Sequence, residues 1–321
     1  MTATRDPWQV HHFNVTPRRP FSLERTAHWF VRFSQLLDRW EEGRYSRLLL
    51  AGSRPLLLSI SQTGPPSRAE LTIEVRGAGA RGPRADEATR RLLDSLGVSV
   101  DIRPFYRALG NDPLLGPTFS RFRGLRVAGW PGLFEAMVCA ILSQQVNLRL
   151  SYDIRDEIAR TFGLRARFDG TTFQAFPTAA RLAGESVQTL RSFRLSRVKA
   201  EAIVGVAEKV ASGKLDETEL ASLPDAEVIE RLVALRGVGR WTAETVLLRG
   251  LRRIDAFPAG DLGVVKYLAQ GLLERKSKVP EAEMRRFAER WRPFRGLALV
   301  YAYAELARRA GRSPKRDKTR G

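Results

Sequence analysis

Nine consecutive residues and one carboxylate are the part of this chain best suited to chemistry. Leu235-Arg236-Gly237-Val238-Gly239-Arg240-Trp241-Thr242-Ala243 reads as a short Gly-x-Gly turn between two helices, and Asp261 follows twenty residues after the tryptophan. Glycine permits positive φ and leaves no Cβ between the backbone and whatever approaches it. A helix starting near Arg240–Thr242 would turn its unpaired N–H groups and its positive dipole end out of the turn, which suits a phosphate. A plain corner between two helices, capped by glycine, has the same letters. The basic neighbours Arg236 and Arg240 favour the phosphate reading. Asp261 has an ordinary reading as the N-cap of a helix starting at Leu262, and a chemical one as a free carboxylate; a helix N-terminus favours the ionised form in both.

The composition bounds what such a turn could serve. Lysine plus arginine is 54 against 35 acidic residues in 321, a net charge of +19. That excess is an electrostatic footprint for a polyanion, with nucleic acid the leading candidate; a ribosome-associated or anionic-lipid-binding protein would carry a similar charge. One cysteine, Cys139, allows neither a disulfide framework nor a cysteine-ligated iron–sulfur cluster, and His11, His12 and His28 are too few for a histidine zinc site. No apolar run has transmembrane length and the N-terminus has no signal-peptide core, so a cytoplasmic protein without membrane contact is expected.

The elements that must position the turn change along the chain. Within residues 21–103, Leu48–Leu50, Pro55–Ile60 and Glu70–Val75 read as strands, the last alternating Leu71, Ile73 and Val75, and Ala85–Leu96 reads as a helix ended by Gly97. From Pro104 strand signals nearly vanish. Helices are predicted over Gly132–Gln145, Leu150–Phe162, Thr178–Ala183, Ser186–Leu190, Ser196–Ser212, Asp225–Leu235, Trp241–Arg249, Leu262–Leu273, Glu281–Trp291 and Gly296–Arg309. Ser222 or Asp225 is expected to cap the helix before the turn. The division is therefore residues 1–103, a small α+β domain; 104–310, a helical domain; and 311–321, a basic tail. Gly77-Ala78-Gly79-Ala80-Arg81-Gly82 fits Gly-x-Gly-x-x-Gly after a strand, with Asp101 downstream. Pro83 and Arg84 are expected to delay the next helix, and no strand–helix alternation follows to complete a doubly wound sheet, so an ordinary glycine loop is the better reading.

The turn, with Asp255-Ala256-Phe257-Pro258-Ala259-Gly260-Asp261, resembles the helix-hairpin-helix DNA glycosylase superfamily, and within it the 3-methyladenine DNA glycosylase II group. The likeness extends to Phe134–Val146, Phe176–Thr178 with Arg181–Ala183, Arg197-Lys199-Ala200 and Glu289–Arg295, and covers most of residues 110–309, more loosely 20–103. It implies a mostly α fold: two helical subdomains with a cleft, preceded by a smaller α+β domain with an antiparallel sheet.

What the resemblance implies for chemistry can be weighed residue by residue. Breaking an N-glycosidic bond builds positive charge on the deoxyribose, and a carboxylate aimed at C1′ stabilises it; Asp261 holds that place. Relatives that also cut the strand carry a lysine where this chain has Trp241, and tryptophan cannot form an imine. The implied enzyme hydrolyses the bond and leaves an abasic site. Trp241, Tyr303 and Trp29 are the expected aromatic walls of a base pocket, suited to electron-poor alkylated bases, though each could be a core aromatic. Gly237, Val238, Gly239, Arg240 and Thr242 would grip the DNA backbone, with Gln144 and Gln145 in the loop entering the base stack. Gln145 stands where a known member inserts an apolar wedge, Thr245 where an aromatic is usual, and Leu262-Gly263 replaces a bulkier pair, which leaves the lesion range open. The backbone carbonyls of Val233, Leu235 and Val238 are implied as ligands of a monovalent cation; no cofactor is required for the chemistry. Double-stranded DNA with damaged bases is the expected partner and a monomer the expected state. Oxidised or deaminated bases, or damage binding without catalysis, are the alternatives.

Overall fold

The computed structural model describes residues 8–261, 263–264, 269 and 279–312. Five antiparallel strands form the N-terminal sheet: Gln9–Val15 (β1), Asp38–Glu41 (β2), Arg44–Ala51 (β3), Arg54–Thr63 (β4) and Glu70–Gly77 (β5), in the order β1-β5-β4-β3-β2. Leu71, Ile73 and Val75 of β5 and Leu56, Leu58 and Ile60 of β4 share one core with Phe30 of helix Leu23–Val31 (α1) and Leu92 of helix Pro83–Ser95 (α2). β1 and β2 are the sheet's edges. Both carry few apolar residues, so no alternation in the sequence announced them. The glycine segment from Gly77 to Gly82 joins an antiparallel strand to α2, so it borders no parallel-strand crevice. Pro83 does not delay that helix. It opens it, at the first position, where its missing N–H costs nothing.

The helical part runs through Arg103–Leu109 (α3), Gly116–Phe119 (α4), Leu133–Leu142 (α5) and Leu148–Phe162 (α6). An unexpected hairpin follows, Arg165–Phe168 (β6) and Thr171–Gln174 (β7). Its turn is Asp169-Gly170 with φ of 43° and 78°, the two positive values that a two-residue hairpin turn demands. The Asp-Gly pair was a readable signal; the four-residue strands were too short to show a period. Phe168 packs with Leu48 and Leu57, the face of the sheet away from the main N-terminal core. The run Leu56-Leu57-Leu58 is thus buried on both faces of β4.

The remaining elements are Ala179–Ala183 (α7), Val187–Arg191 (α8), Arg197–Ala211 (α9), Glu217–Ser222 (α10), Asp225–Val233 (α11), Arg240–Arg249 (α12), Glu281–Ala288 (α13) and Arg295–Arg312 (α14). Apart from Glu135, α5 is apolar, and all of it but the partly exposed Phe134 is buried, with α6, α9 and α12 against it. Pro224 is the N-cap residue of α11; neither Ser222 nor Asp225 caps it, because the Ser222 hydroxyl donates to the Glu219 carbonyl. The helix expected over Leu262–Leu273 lies, apart from Gly263, Val264 and Ala269, outside the described residues, as does the tail beyond Arg312. No described helix is long and apolar enough to cross a membrane.

The two cores divide between Val98 and Ile102. Buried charges join them. Arg47 of β3 pairs with Asp38 of β2 and donates to both carboxylate oxygens of Glu135 in α5, at 2.5 and 2.6 Å. Arg155 of α6 reaches the other Asp38 oxygen at 3.4 Å, and the Tyr45 hydroxyl donates to Asp38 at 2.7 Å. Burial alone would raise the Asp38 carboxyl; Arg47 and Arg155 outweigh it and hold it below its usual range.

Candidate active site and nucleic-acid interface

Three segments meet at Asp261. Its Oδ2 accepts from the indole Nε1 of Trp241 at 3.1 Å. Its Oδ1 accepts from the Tyr303 hydroxyl at 2.9 Å and from the backbone N–H of Gly263 at 2.7 Å. The last contact is a cap-like one; the first two are side-chain donors from 20 and 42 residues away. A carboxylate facing three donors is held in one orientation. Burial, then the nearby Asp261 charge, pushes the Tyr303 phenol well above its ordinary range, so it stays a donor.

The meeting is built by the backbone on either side. Asp255 accepts from the Arg295 backbone N–H and side chain at 3.1 Å and again at 2.8 Å, which caps the start of α14 and ties it to the segment leading to Asp261. A Cβ on Gly296 would lie 2.4 Å from the Ala256 carbonyl, so only glycine allows this approach. Gly263 is equally constrained: a Cβ there would lie 2.7 Å from Asp261 Oδ1 and 2.8 Å from the Tyr303 hydroxyl. The exchange of a bulkier residue for glycine, which in the sequence read as a looser pocket, is here what lets the two side chains meet.

Trp29 arrives from α1. Its ring lies nearly parallel to that of Tyr303, at 17° with centroids 6.2 Å apart. Two guanidinium groups also lie over the Trp29 ring, Arg249 at 5.0 Å and Arg32 at 5.3 Å. Sequence reasoning passed over both. Arg249 is the last residue of α12 and Arg32 the C-cap of α1, positions where a cation complements the helix dipole and so marks nothing more.

The hairpin joins α11 to α12. Gly237 has φ of +77°, and a Cβ there would come within 2.8 Å of the Ala202 methyl on α9. Val238 turns inward and is buried in the helical core. Gly239, the residue before α12, is different: a Cβ there meets nothing within 4 Å. No protein contact requires its bareness, whereas a phosphate approaching the free N–H groups of α12 would. Arg240 is exposed and holds Glu244 at 3.0 Å, and Arg236 pairs with Glu201 at 2.8 Å. Among the described residues no hydrogen bond is directed at the carbonyl oxygens of Val233 or Val238, which leaves both free for a cation; that of Leu235 accepts from Val238 N–H at 3.1 Å and keeps a second lone pair.

The glutamine pair divides. Gln144 donates to the Gly237 carbonyl and to the Thr242 hydroxyl, both at 2.9 Å, and so fastens the loop after α5 to the hairpin. Thr242 is buried by the same contact. Lys199 of α9 adds a clasp, donating to the carbonyls of Leu142 at 3.1 Å and Gln144 at 2.7 Å. Gln145 is exposed at φ +53°, a left-handed conformation uncommon for a residue with a Cβ. A cleft of about 540 Å³, lined by Phe33, Arg39, Arg149 and Asp156 among others, contains none of these residues.

Fold and geometry define a class: a helix-hairpin-helix protein whose one site carboxylate sits among aromatic donors. Comparison with known proteins agrees. The HhH-GPD superfamily base excision DNA repair protein family matches residues 138–293. A DNA-3-methyladenine glycosylase of Bacillus subtilis is 30% identical over 70% of this chain and 73% of its own length. The structure of a 3-methyladenine DNA-glycosylase from Archaeoglobus fulgidus superposes with a TM-score of 0.78 at 28% identity, covering 92% of this chain and 98% of that one. An 8-oxoguanine glycosylase/lyase from Clostridium acetobutylicum, at 19% identity and a TM-score of 0.70 over 93% of this chain and 98% of that one, shares the fold. The chain belongs to the HhH-GPD superfamily of base excision DNA repair proteins.

Proposed function

We propose that this protein is a monofunctional DNA N-glycosylase that extrudes alkylated bases from double-stranded DNA, those of the 3-methyladenine type among them, and releases them by hydrolysis. The observation that carries the reading is the Asp261 carboxylate, fixed by Trp241, Tyr303 and Gly263. As the C1′–N bond breaks, its electrons leave with the base and positive charge builds on the sugar. An ionised, pre-oriented carboxylate stabilises that charge without reorganising. Water then adds to C1′ and gives up a proton. The hairpin grips the backbone through the α12 N-terminus and the open position at Gly239, where a monovalent cation held by Val233, Leu235 and Val238 would bridge protein to phosphate. Damaged bases are cheaper to extrude because they pair weakly.

The relatives' names support alkylated bases, and Trp241 supports hydrolysis alone, since no amine stands there to attack the sugar. The test is a duplex carrying one alkylated base. Incubation should release the base and yield strand breaks only after mild alkali, while borohydride traps no protein–DNA adduct. Efficient trapping would contradict the hydrolytic reading.

A further inference from the structure

Trp241, Thr245 and Arg249 are spaced i, i+4, i+8 on α12 and so form one stripe of that helix. The stripe begins at the indole that holds Asp261 and ends at the guanidinium over Trp29. One of its polar groups lacks the partner its burial calls for. Thr245 is 8% exposed and its hydroxyl makes no hydrogen bond among the described residues. A buried hydroxyl without a partner is destabilising, so its retention needs a reason outside the free protein. Arg249 donates one bond, from Nη1 to the Ala128 carbonyl at 2.7 Å, and no carboxylate forms an ion pair with it among the described residues. Burial pulls its guanidinium below the ordinary value, the mark of a charge kept partly out of water, although arginine stays protonated.

We propose that Thr245 and Arg249 read the edge and charge of the extruded base, so that among the alkylated bases the site takes, uncharged ones that present a ring-nitrogen or oxygen acceptor are released faster than those with a fixed positive charge. The inference rests on the glycosylase reading above and names a substrate class for the same site. Aromatic walls alone would favour a cationic base, because a π-face attracts positive charge. Here the Trp29 ring already carries two guanidinium groups. A further cation entering beside them meets repulsion, whereas an acceptor atom finds the spare N–H donors of Arg249 and the free hydroxyl of Thr245. An aromatic at position 245 would supply only another wall; threonine supplies a donor.

The test compares single-turnover base release from two duplexes, one holding 7-methylguanine, cationic as a nucleoside, the other 1,N6-ethenoadenine, which is uncharged and has ring-nitrogen acceptors. The ratio of the two rates in one preparation is independent of how much enzyme is folded. Arg249→Met should raise the 7-methylguanine to ethenoadenine ratio about tenfold, from loss of a nearby charge in a partly desolvated site. Arg249→Lys should keep it near the wild-type value. Thr245→Val should shift it in the same direction by a few-fold while leaving thermal stability equal or higher, since a partnerless buried hydroxyl is removed. Ratios unchanged in both Arg249→Met and Thr245→Val would overturn the proposal and leave these residues as supports for Trp29. A wild-type protein that releases neither base would instead sink the glycosylase reading on which it stands.

Discussion

Three donors converge on Asp261, and their separation along the chain explains what the sequence could and could not disclose. Trp241 and Asp261 were legible from their motifs. That the tryptophan holds the carboxylate through its indole N–H was not, because a hydrogen bond between residues 20 apart has no spacing rule outside a regular element. Tyr303 was expected as a wall for the base; its hydroxyl proves to be a second donor to Asp261. Gly263 looked like lost bulk and is a required close approach. These contacts carry a prediction. Tyr303→Phe keeps the ring and removes only the hydroxyl. A hydrogen bond to a charged group contributes about 1.5–3 kcal/mol, so base release should slow roughly tenfold to a hundredfold while affinity for duplex DNA is kept. Single-turnover kinetics beside a binding titration measure both. Normal kinetics would mean that the hydroxyl does not support the carboxylate.

At the scale of elements, the hairpin separates a glycine that the fold demands from one that it does not. Gly237 is demanded by its own backbone and by α9, while Gly239 faces open space. Gly237→Ala should therefore destabilise the fold by about 1–3 kcal/mol in chemical denaturation. Gly239→Ala should leave stability within a few tenths of a kcal/mol and weaken DNA binding at least several-fold, because the methyl stands where a phosphate would approach. Equal loss of stability in both variants would remove the distinction. The two helices on either side were placed to within one or two residues, Asp225–Leu235 and Trp241–Arg249 against Asp225–Val233 and Arg240–Arg249, while the cap at Pro224 was not foreseen. The β6–β7 hairpin was missed although Asp169-Gly170 marked it. Gln144 was expected at the DNA; that it also ties two elements together is a role fixed by tertiary distance alone.

Across the whole molecule, the order of an antiparallel sheet followed by helices followed from where strand signals stop. The way the two parts lock did not. Arg47, Asp38, Glu135 and Arg155 come from four elements spread over more than a hundred residues, and nothing local marks a buried charge. Removing one member of such a cluster leaves a buried charge uncompensated, at a cost of about 3–5 kcal/mol. Glu135→Gln should lower the unfolding free energy by that order. A loss below about 1 kcal/mol would show that the cluster does not join the two cores. This junction has a functional side, since it carries Trp29 of α1 to Tyr303 of α14.

The central claim is that Asp261 performs glycosidic bond hydrolysis at a site otherwise built for grip and fit. Its most direct test is base release from alkylated duplex DNA, read by mass, for the wild type and Asp261→Asn. The wild type should release the damaged base, and the variant should bind the duplex equally well yet release base at least a hundredfold more slowly. A variant that turns over at close to the wild-type rate would contradict the account.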